Sequence, residues 1–319
     1  MKIILWSDNH NFPSLPLMKI SSYHKAKGDS VKLYEISDTE CDILYKSKTF
    51  SFSEDIAPNM LFRCGQIVEG GSGNAIKNKN GKEIYNKGLD KPLQQEIENL
   101  RPDYSLYPQY KEAYGFLTRG CPNNCSFCIV SKKEGVKSRQ VADLSDFWDG
   151  QSIIKLMDGN LLACSDREKL LQQLIDSGAK IDYTQGLDAR LITDNVAKLL
   201  CKTKTPMIHF AFDRMKDERQ ILKGLEIYSK YTNLTDRNRR VYILTNYDTN
   251  QEEDWYRVQR VRELGYQPYV MIYQKGTHTR WLTDLARWSN SYFLNRKCDF
   301  PDYIPRIDGK TCGELYGLT

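Results

Sequence analysis

From residue 114 onward the chain repeats one rhythm: a short apolar run, a turn signal, an amphipathic stretch, then another apolar run. The strand candidates are Tyr114–Thr118, Ser152–Met157, Lys180–Thr184, Met207–Phe212, Arg240–Thr245 and Pro268–Tyr273. They recur about every 30 residues, the length of one strand-plus-helix unit. Parallel neighbours need a crossover connection, so six such units in series predict an α/β fold with a parallel sheet. Six units favour an open barrel over a closed barrel of eight, and ligands of such sheets sit at the carboxyl ends of the strands.

The intervening segments carry start and stop signals. Ser165-Asp166-Arg167-Glu168 has the capping-box pattern, in which a serine hydroxyl and a glutamate carboxylate each take a backbone amide that the first helical turn leaves over. Leu170, Leu171, Leu174 and Ile175 follow with helical spacing, and Gly178 supplies a left-handed stop. Thr193 opens Val196–Leu200 in the same way, and Glu252–Leu264 ends at Gly265. The first 70 residues predict a smaller α/β unit. Lys2–Trp6 reads as a strand, Leu15–Lys27 as a helix closed by Gly28, and Val31–Glu35, Ile43–Tyr45 and Met60–Arg63 as further strands. Gly70-Gly71-Ser72-Gly73-Asn74 and the Asn/Lys/Gly-rich residues to Gly88 read as loop, and the tail after Cys298 as irregular. The domain boundaries expected from this pattern are 1–72, a linker over 73–110, a main unit over 111–290 and a tail over 291–319.

Composition narrows the chemistry. A length of 319 residues suits two domains, and no apolar run approaches the span of a bilayer. Met1-Lys2-Ile3-Ile4-Leu5-Trp6-Ser7-Asp8 turns polar too early for an export signal, so a cytoplasmic location with no membrane partner is expected. The net charge of +5 is spread along the chain; it permits a nucleic-acid partner without arguing for one. Nine unevenly spaced cysteines in a reducing compartment point away from a disulfide framework and toward metal or redox chemistry.

The segment Thr118-Arg119-Gly120-Cys121-Pro122-Asn123-Asn124-Cys125-Ser126-Phe127-Cys128 places three cysteines at Cys-x3-Cys-x2-Cys directly after the first strand of the series. Thiolates are soft ligands that suit iron–sulfur clusters. Three ligands leave one iron of a cubane open, which a catalytic centre needs. A structural zinc site would want a fourth ligand from afar, such as Cys164 or a histidine, and an electron-carrier cluster would want a fourth cysteine.

This spacing, with Phe127 before the last cysteine, resembles the radical S-adenosylmethionine (SAM) superfamily, over about residues 110–290. The resemblance implies a partial (β/α)6 barrel. It implies a [4Fe–4S] cluster on Cys121, Cys125 and Cys128, with SAM bound at its open iron. Reductive cleavage of SAM by an electron from the cluster would then give a 5′-deoxyadenosyl radical that abstracts hydrogen from a substrate. By position in that family, Phe127 would flank the adenine, Asp158 would meet the amino group and Arg190 the carboxylate of SAM, with Gln185 beside it. Asp213 would meet the ribose hydroxyls, although the usual glycine–glutamate pattern is absent at Ala211-Phe212-Asp213. A one-electron donor such as flavodoxin or ferredoxin is implied as a partner. The N-terminal region resembles the Rossmann-like cobalamin-binding domain that precedes such barrels. Asp8-Asn9-His10 matches the start of its Asp-x-His-x-x-Gly motif, but Pro13 stands where the glycine would be. A docking domain without cobalamin is the better expectation, with His10 as the ligand otherwise.

Several groups keep two meanings. Cys201 reads as a buried apolar residue, and Cys298 with Cys312 as an auxiliary metal pair or core residues. Lys132-Lys133, Lys137-Arg139 and Arg237-Arg239-Arg240 read as a solvated surface or a polyanion contact. Tyr104, Tyr107, Tyr110 and Tyr114 read as linker packing or base stacking. The function expected is therefore radical SAM modification of an unidentified substrate. RNA base modification is an alternative, and a non-enzymatic iron–sulfur or zinc module an alternative of another class.

Overall fold

Alternation of side chains along Lys2–Ser7 (β1) puts Ile3 and Leu5 on one face of a sheet and Ile4 and Trp6 on the other. The first pair packs under helix Leu15–Ala26 (α1) with Leu17, Met18 and Ile20, and the second with Cys41 and Leu44. Ser30–Leu33 (β2), Glu40–Ser47 (β3) and Arg63–Gly70 (β4) complete a four-stranded sheet in the order β2-β1-β3-β4. Every pairing in it is parallel. The structure, a computed structural model, describes residues 1–9, 11–55, 62–79, 82–306 and 309–318. His10 and the first half of the expected Met60–Arg63 strand lie outside them; among the described residues the fourth strand starts at Arg63.

The expected loop over 70–88 instead holds a turn of helix, Ser72–Ala75 (α2), and an antiparallel pair, Ile76–Lys79 (β5) with Lys82–Tyr85 (β6). Each of these strands has too few apolar residues to show a period of two in the sequence. Gly71 and Gly73 stand where the backbone makes a close approach. A Cβ at Gly71 would stand 2.2 Å from the Lys48 carbonyl oxygen, and one at Gly73 2.6 Å from that of Phe50. The close approach is to the chain's own 48–50 segment.

Two units are distinguished, one of residues 1–116, 120–137 and 141–154, the other of 117–119, 138–140 and 155–319. The first also contains Gln95–Glu98 (α3), Ala113–Gly115 (β7) and Val130–Glu134 (α4). Tyr104, Tyr107, Tyr110 and Tyr114 are packed within it: Tyr107 and Tyr114 are buried, and the Tyr104 hydroxyl donates to the Phe147 carbonyl at 2.6 Å. Tyr104 and Tyr110 are half-buried.

The second unit carries the repeating strands and helices. Thr118–Arg119 (β8) pairs antiparallel with Arg139–Gln140 (β9). The rest follow as Ile153–Leu156 (β10), whose first two residues belong to the first unit, Lys180–Tyr183 (β11), Ile208–Ala211 (β12), Arg239–Thr245 (β13) and Gln267–Ile272 (β14). β10 and β11 are neighbours, and β12, β13 and β14 form a parallel sheet in chain order. Parallel bridges Lys180↔Lys204 and Leu187↔Phe210 flank β11 and β12. The molecule is thus a mixed α/β protein with parallel sheets. Helices Arg167–Ser177 (α5), Asp194–Lys202 (α6), Glu218–Ser229 (α7), Gln251–Glu263 (α8) and Arg280–Asn290 (α9) supply the apolar stripes over it. Leu171, Leu174, Val196, Leu225, Val258 and Leu285 are fully buried.

The stop signals act as read: Gly178 and Gly265 take positive φ. Thr193 caps α6 by accepting from the Val196 amide at 3.3 Å. The Ser165–Glu168 box is not formed; Asp166 is the N-cap of α5 and makes no side-chain cap bond. The reciprocal box stands at α8 instead, between Asn250 and Glu253. The tail is more regular than expected. After Tyr292–Lys297 (α10) it ends in Cys312–Tyr316 (α11), capped by Thr311 and Glu314, and buries Phe300 and Cys312. Among the described residues no helix is long and apolar enough to cross a membrane.

Candidate functional site

The cysteine segment folds as a loop between β8 and β9. Gly120 opens it at φ +93, where a Cβ would meet the Lys137 carbonyl oxygen at 2.3 Å. The Gly120 amide donates to Glu134 Oε2 at 3.1 Å and the Cys121 amide to the Gly135 carbonyl at 3.0 Å, so the loop closes on its own base. A turn from the Cys125 carbonyl to the Cys128 amide (3.1 Å) brings the last two cysteines round. Asn124 takes φ +42, and its side chain accepts from Ser131 Oγ at 3.0 Å. The Cys128 sulfur accepts from the Val130 amide at 3.5 Å. Cys121, Cys125, Phe127 and Cys128 are all half-buried.

Among the described residues no three His, Cys, Asp or Glu side chains are gathered as ligands of one metal ion. A cubane takes each thiolate on a different iron, so its three sulfurs stand farther apart than the ligands of a single ion. The donor set, three thiols on one short loop reached by solvent, has the chemistry such a cluster requires.

In the second unit, polar residues follow the strands, and Asn160, Asp188, Arg190, Asp217 and Arg214 are linked to one another. Asp158, two residues beyond β10, is 5% exposed. It accepts from the Thr118 amide at 2.5 Å, the Thr118 hydroxyl at 2.6 Å and the Leu117 amide at 3.2 Å. Burial pushes its carboxyl up to about 6, against the pull of these donors. Both oxygens are thus engaged in holding the strand that leads into the cysteine loop.

Gln185 is exposed after β11, followed by Gly186 at φ +79. Arg190 lies in the short turn Ala189–Leu191. Its Nε and Nη2 reach the two oxygens of Asp188 at 2.8 and 2.7 Å, and Nη1 reaches Asp217 at 3.1 Å. The Asp188 bond holds its guanidinium protonated above the ordinary arginine range. Asn160 donates to Asp188 at 3.1 Å, and Arg214 binds Asp217 at 2.6 Å. Gly224 of α7 makes room for this turn: a Cβ there would stand 1.8 Å from the Ala189 carbonyl oxygen.

Asp213 follows β12 and accepts from the Leu244 amide at 3.2 Å. Burial raises its carboxyl to about 6, opposed by that bond and by Arg257, Arg214 and Arg190. Arg257, fully buried, ties the ends of β12 and β13 together through the Phe212 and Leu244 carbonyls at 2.7 and 2.8 Å. Asp254 balances its charge at 2.5 Å. Asn246 and Gln274, just beyond β13 and β14, hold positive φ. With Asn124 they are the three non-glycine residues among those described that do so, and each lies in a loop after a strand.

One feature escaped the reading of the sequence. Register and alternation put His209, Arg240, Tyr242 and Tyr269 on a common half-buried face of the β12-β13-β14 sheet. The His209 ring stacks on Tyr242 at 5.1 Å and 4°, Tyr242 meets Tyr269 edge-on at 5.6 Å, and Arg240 lies over Tyr269 at 5.1 Å. Burial, and then Arg240, push His209 down to about 4, so it is neutral at pH 7. His209 Nδ1 and Arg240 Nε are buried with no hydrogen-bond partner among the described residues. The alternation Ile208-His209-Phe210 and Arg240-Val241-Tyr242-Ile243 was the available signal. Arg239 likewise lies over a ring, Tyr266, at 4.9 Å, and both arginines are half-buried.

The remaining cysteines differ in burial. Cys164 and Cys312 are fully buried, and burial raises the Cys201, Cys298 and Cys312 thiols, the last to about 12. No protein-family model matches the chain, and no curated protein matches it.

Proposed function

We propose that the chain is a radical SAM enzyme acting on an unidentified substrate, built as a partial barrel of strand–helix units behind a small Rossmann-like domain. One observation carries the reading: Cys121, Cys125 and Cys128 stand on a self-closed loop directly after a short strand, ahead of strands that neighbour one another in chain order. When bound, a [4Fe–4S] cluster on these three thiolates would supply the electron that cleaves SAM, its open iron taking the amino and carboxylate groups.

The chain's own residues then have definite tasks. The loop's amide bonds hold its backbone, and the Val130 amide, which donates to the Cys128 sulfur, would draw electron density from that thiolate and so tune the potential of a bound cluster. Phe127 would supply a ring and backbone edge to adenine, and Gln185 an exposed amide. Asp213 would accept from ribose hydroxyls. Arg190, already paired with Asp188 and Asp217, meets a carboxylate only by exchanging one of these partners. Asp158 is the more direct support of the loop, because its oxygens are used by Leu117 and Thr118.

Anaerobic reconstitution with iron and sulfide tests the reading. A chain that takes up a cubane cluster and changes its electron paramagnetic resonance spectrum when SAM is added behaves as proposed. A chain that takes up only zinc, or a cluster whose spectrum is indifferent to SAM, is a binding module.

A further inference from the structure

The first unit holds a second pair of thiols that the proposed chemistry does not use. Cys41 on β3 and Cys64 on β4 are register partners in adjacent parallel strands. Their sulfurs stand 3.2 Å apart, with the Cys41 thiol directed at the Cys64 sulfur. The next residue on β4 is Gly65, where a Cβ would lie 2.8 Å from the Asp42 carbonyl oxygen. Its missing side chain is what lets the two strands approach so closely beside the pair. The two thiols differ. Cys41 is 8% exposed and packs with Ile4, Trp6 and Leu44. Cys64 is half-buried on the edge strand, and its thiol donates to the Gln66 carbonyl at 2.8 Å.

We propose that Cys41 and Cys64 form a modification site: a dithiol that a low-molecular-weight disulfide oxidises reversibly to an intramolecular disulfide joining β3 to β4. Register partners on neighbouring strands already have the backbone separation that such a bond needs, and the sulfurs face each other, so closure requires only that they approach further. The order of events follows from exposure. Cys64, as thiolate, attacks one sulfur of glutathione disulfide; that S–S bond breaks and one glutathione leaves as thiolate. Cys41 then loses its proton and attacks the Cys64 sulfur of the mixed disulfide, and the second glutathione leaves. Two electrons and two protons pass from the protein dithiol to two molecules of glutathione. Burial and the Cys64 contact push the Cys41 thiol up to about 12, consistent with its acting second. The site does not depend on the cysteine loop or on the proposed reaction.

The test uses the intact chain. It is incubated with oxidised glutathione, quenched with an alkylating agent, cleaved after lysine and arginine, and mapped by mass. Cleavage after Lys46 and Arg63 puts the two cysteines on different peptides, so the disulfide appears as a joined pair lighter by two hydrogens that dithiothreitol separates. The proposal expects this pair, and it expects Cys41→Ser to accumulate a glutathione adduct on Cys64 while Cys64→Ser leaves Cys41 largely unmodified. Absence of the joined pair while other cysteines take up glutathione overturns the site. Equal adduct formation on Cys41 and Cys64 in the two variants overturns the assigned order. If a variant does not fold, the parent chain alone decides.

Discussion

Replacing Asp158 by alanine removes the acceptor for the Leu117 amide, the Thr118 amide and the Thr118 hydroxyl in one step. The hydroxyl can turn elsewhere, but the two amides remain where Leu117 and Thr118 are fully buried. Each buried donor left unsatisfied costs about 1–3 kcal/mol, so the variant should lose about 2–6 kcal/mol. Asp158→Asn keeps one acceptor oxygen but turns an amino group toward a donor, and should fall between the two. The carboxyl also leaves a signature in pH. Its folded value of about 6 lies above the ordinary 3.8, so between these values the folded chain keeps a proton that the unfolded chain has lost. The contribution is therefore largest below the unfolded value and is lost as pH rises through the folded one, a change of about 3 kcal/mol. Urea unfolding of the parent and of Asp158→Asn from pH 4 to pH 7 reads it directly: the stability difference should shift against the parent as pH rises. Because Thr118 leads into Gly120 and Cys121, the alanine variant should also bind less iron on reconstitution. Superimposable urea curves for parent and alanine variant, or a stability difference independent of pH, would refute the reasoning.

Other perturbations probe separate links. Gly224→Ala places a Cβ against the Ala189 carbonyl oxygen; overpacking should cost about 1–3 kcal/mol in urea unfolding and displace the turn that carries Arg190. Arg257→Met cuts the tie between the Phe212 and Leu244 carbonyls and strands Asp254; about 3–5 kcal/mol should go, with partial recovery when Asp254→Asn is added. His209, pressed on Tyr242, should titrate by NMR at about 4, and a midpoint at the ordinary 6.5 would mean that the ring is solvated.

The strand–helix rhythm was legible because each buried strand and each stop glycine acts within its own segment. Gly178, Gly265 and the Thr193 cap need no distant partner. What the sequence concealed depends on pairing between distant segments. The β8–β9 stem is two residues long on each side. The Ser165–Glu168 pattern forms no box, whereas Asn250 and Glu253 form one at another helix. The Cys-x3-Cys-x2-Cys loop was visible as a motif, but the partners of Asp158, and the pairing of Arg190 with Asp188 and Asp217, follow from how strands and turns meet. The facing of Cys41 and Cys64, with 22 residues between them in the chain, depends on the register of two strands, and the His209–Tyr242–Tyr269 face on the register of three.

The central claim rests on three thiols, and one measurement reaches it most directly: 5′-deoxyadenosine formed from SAM by the anaerobically reconstituted, reduced chain. Parent protein should form it, and Cys121→Ala, Cys125→Ala and Cys128→Ala should each form none above the protein-free background. Equal formation by parent and any one of the three variants, or none by the parent carrying its full complement of iron and sulfide, would contradict the account.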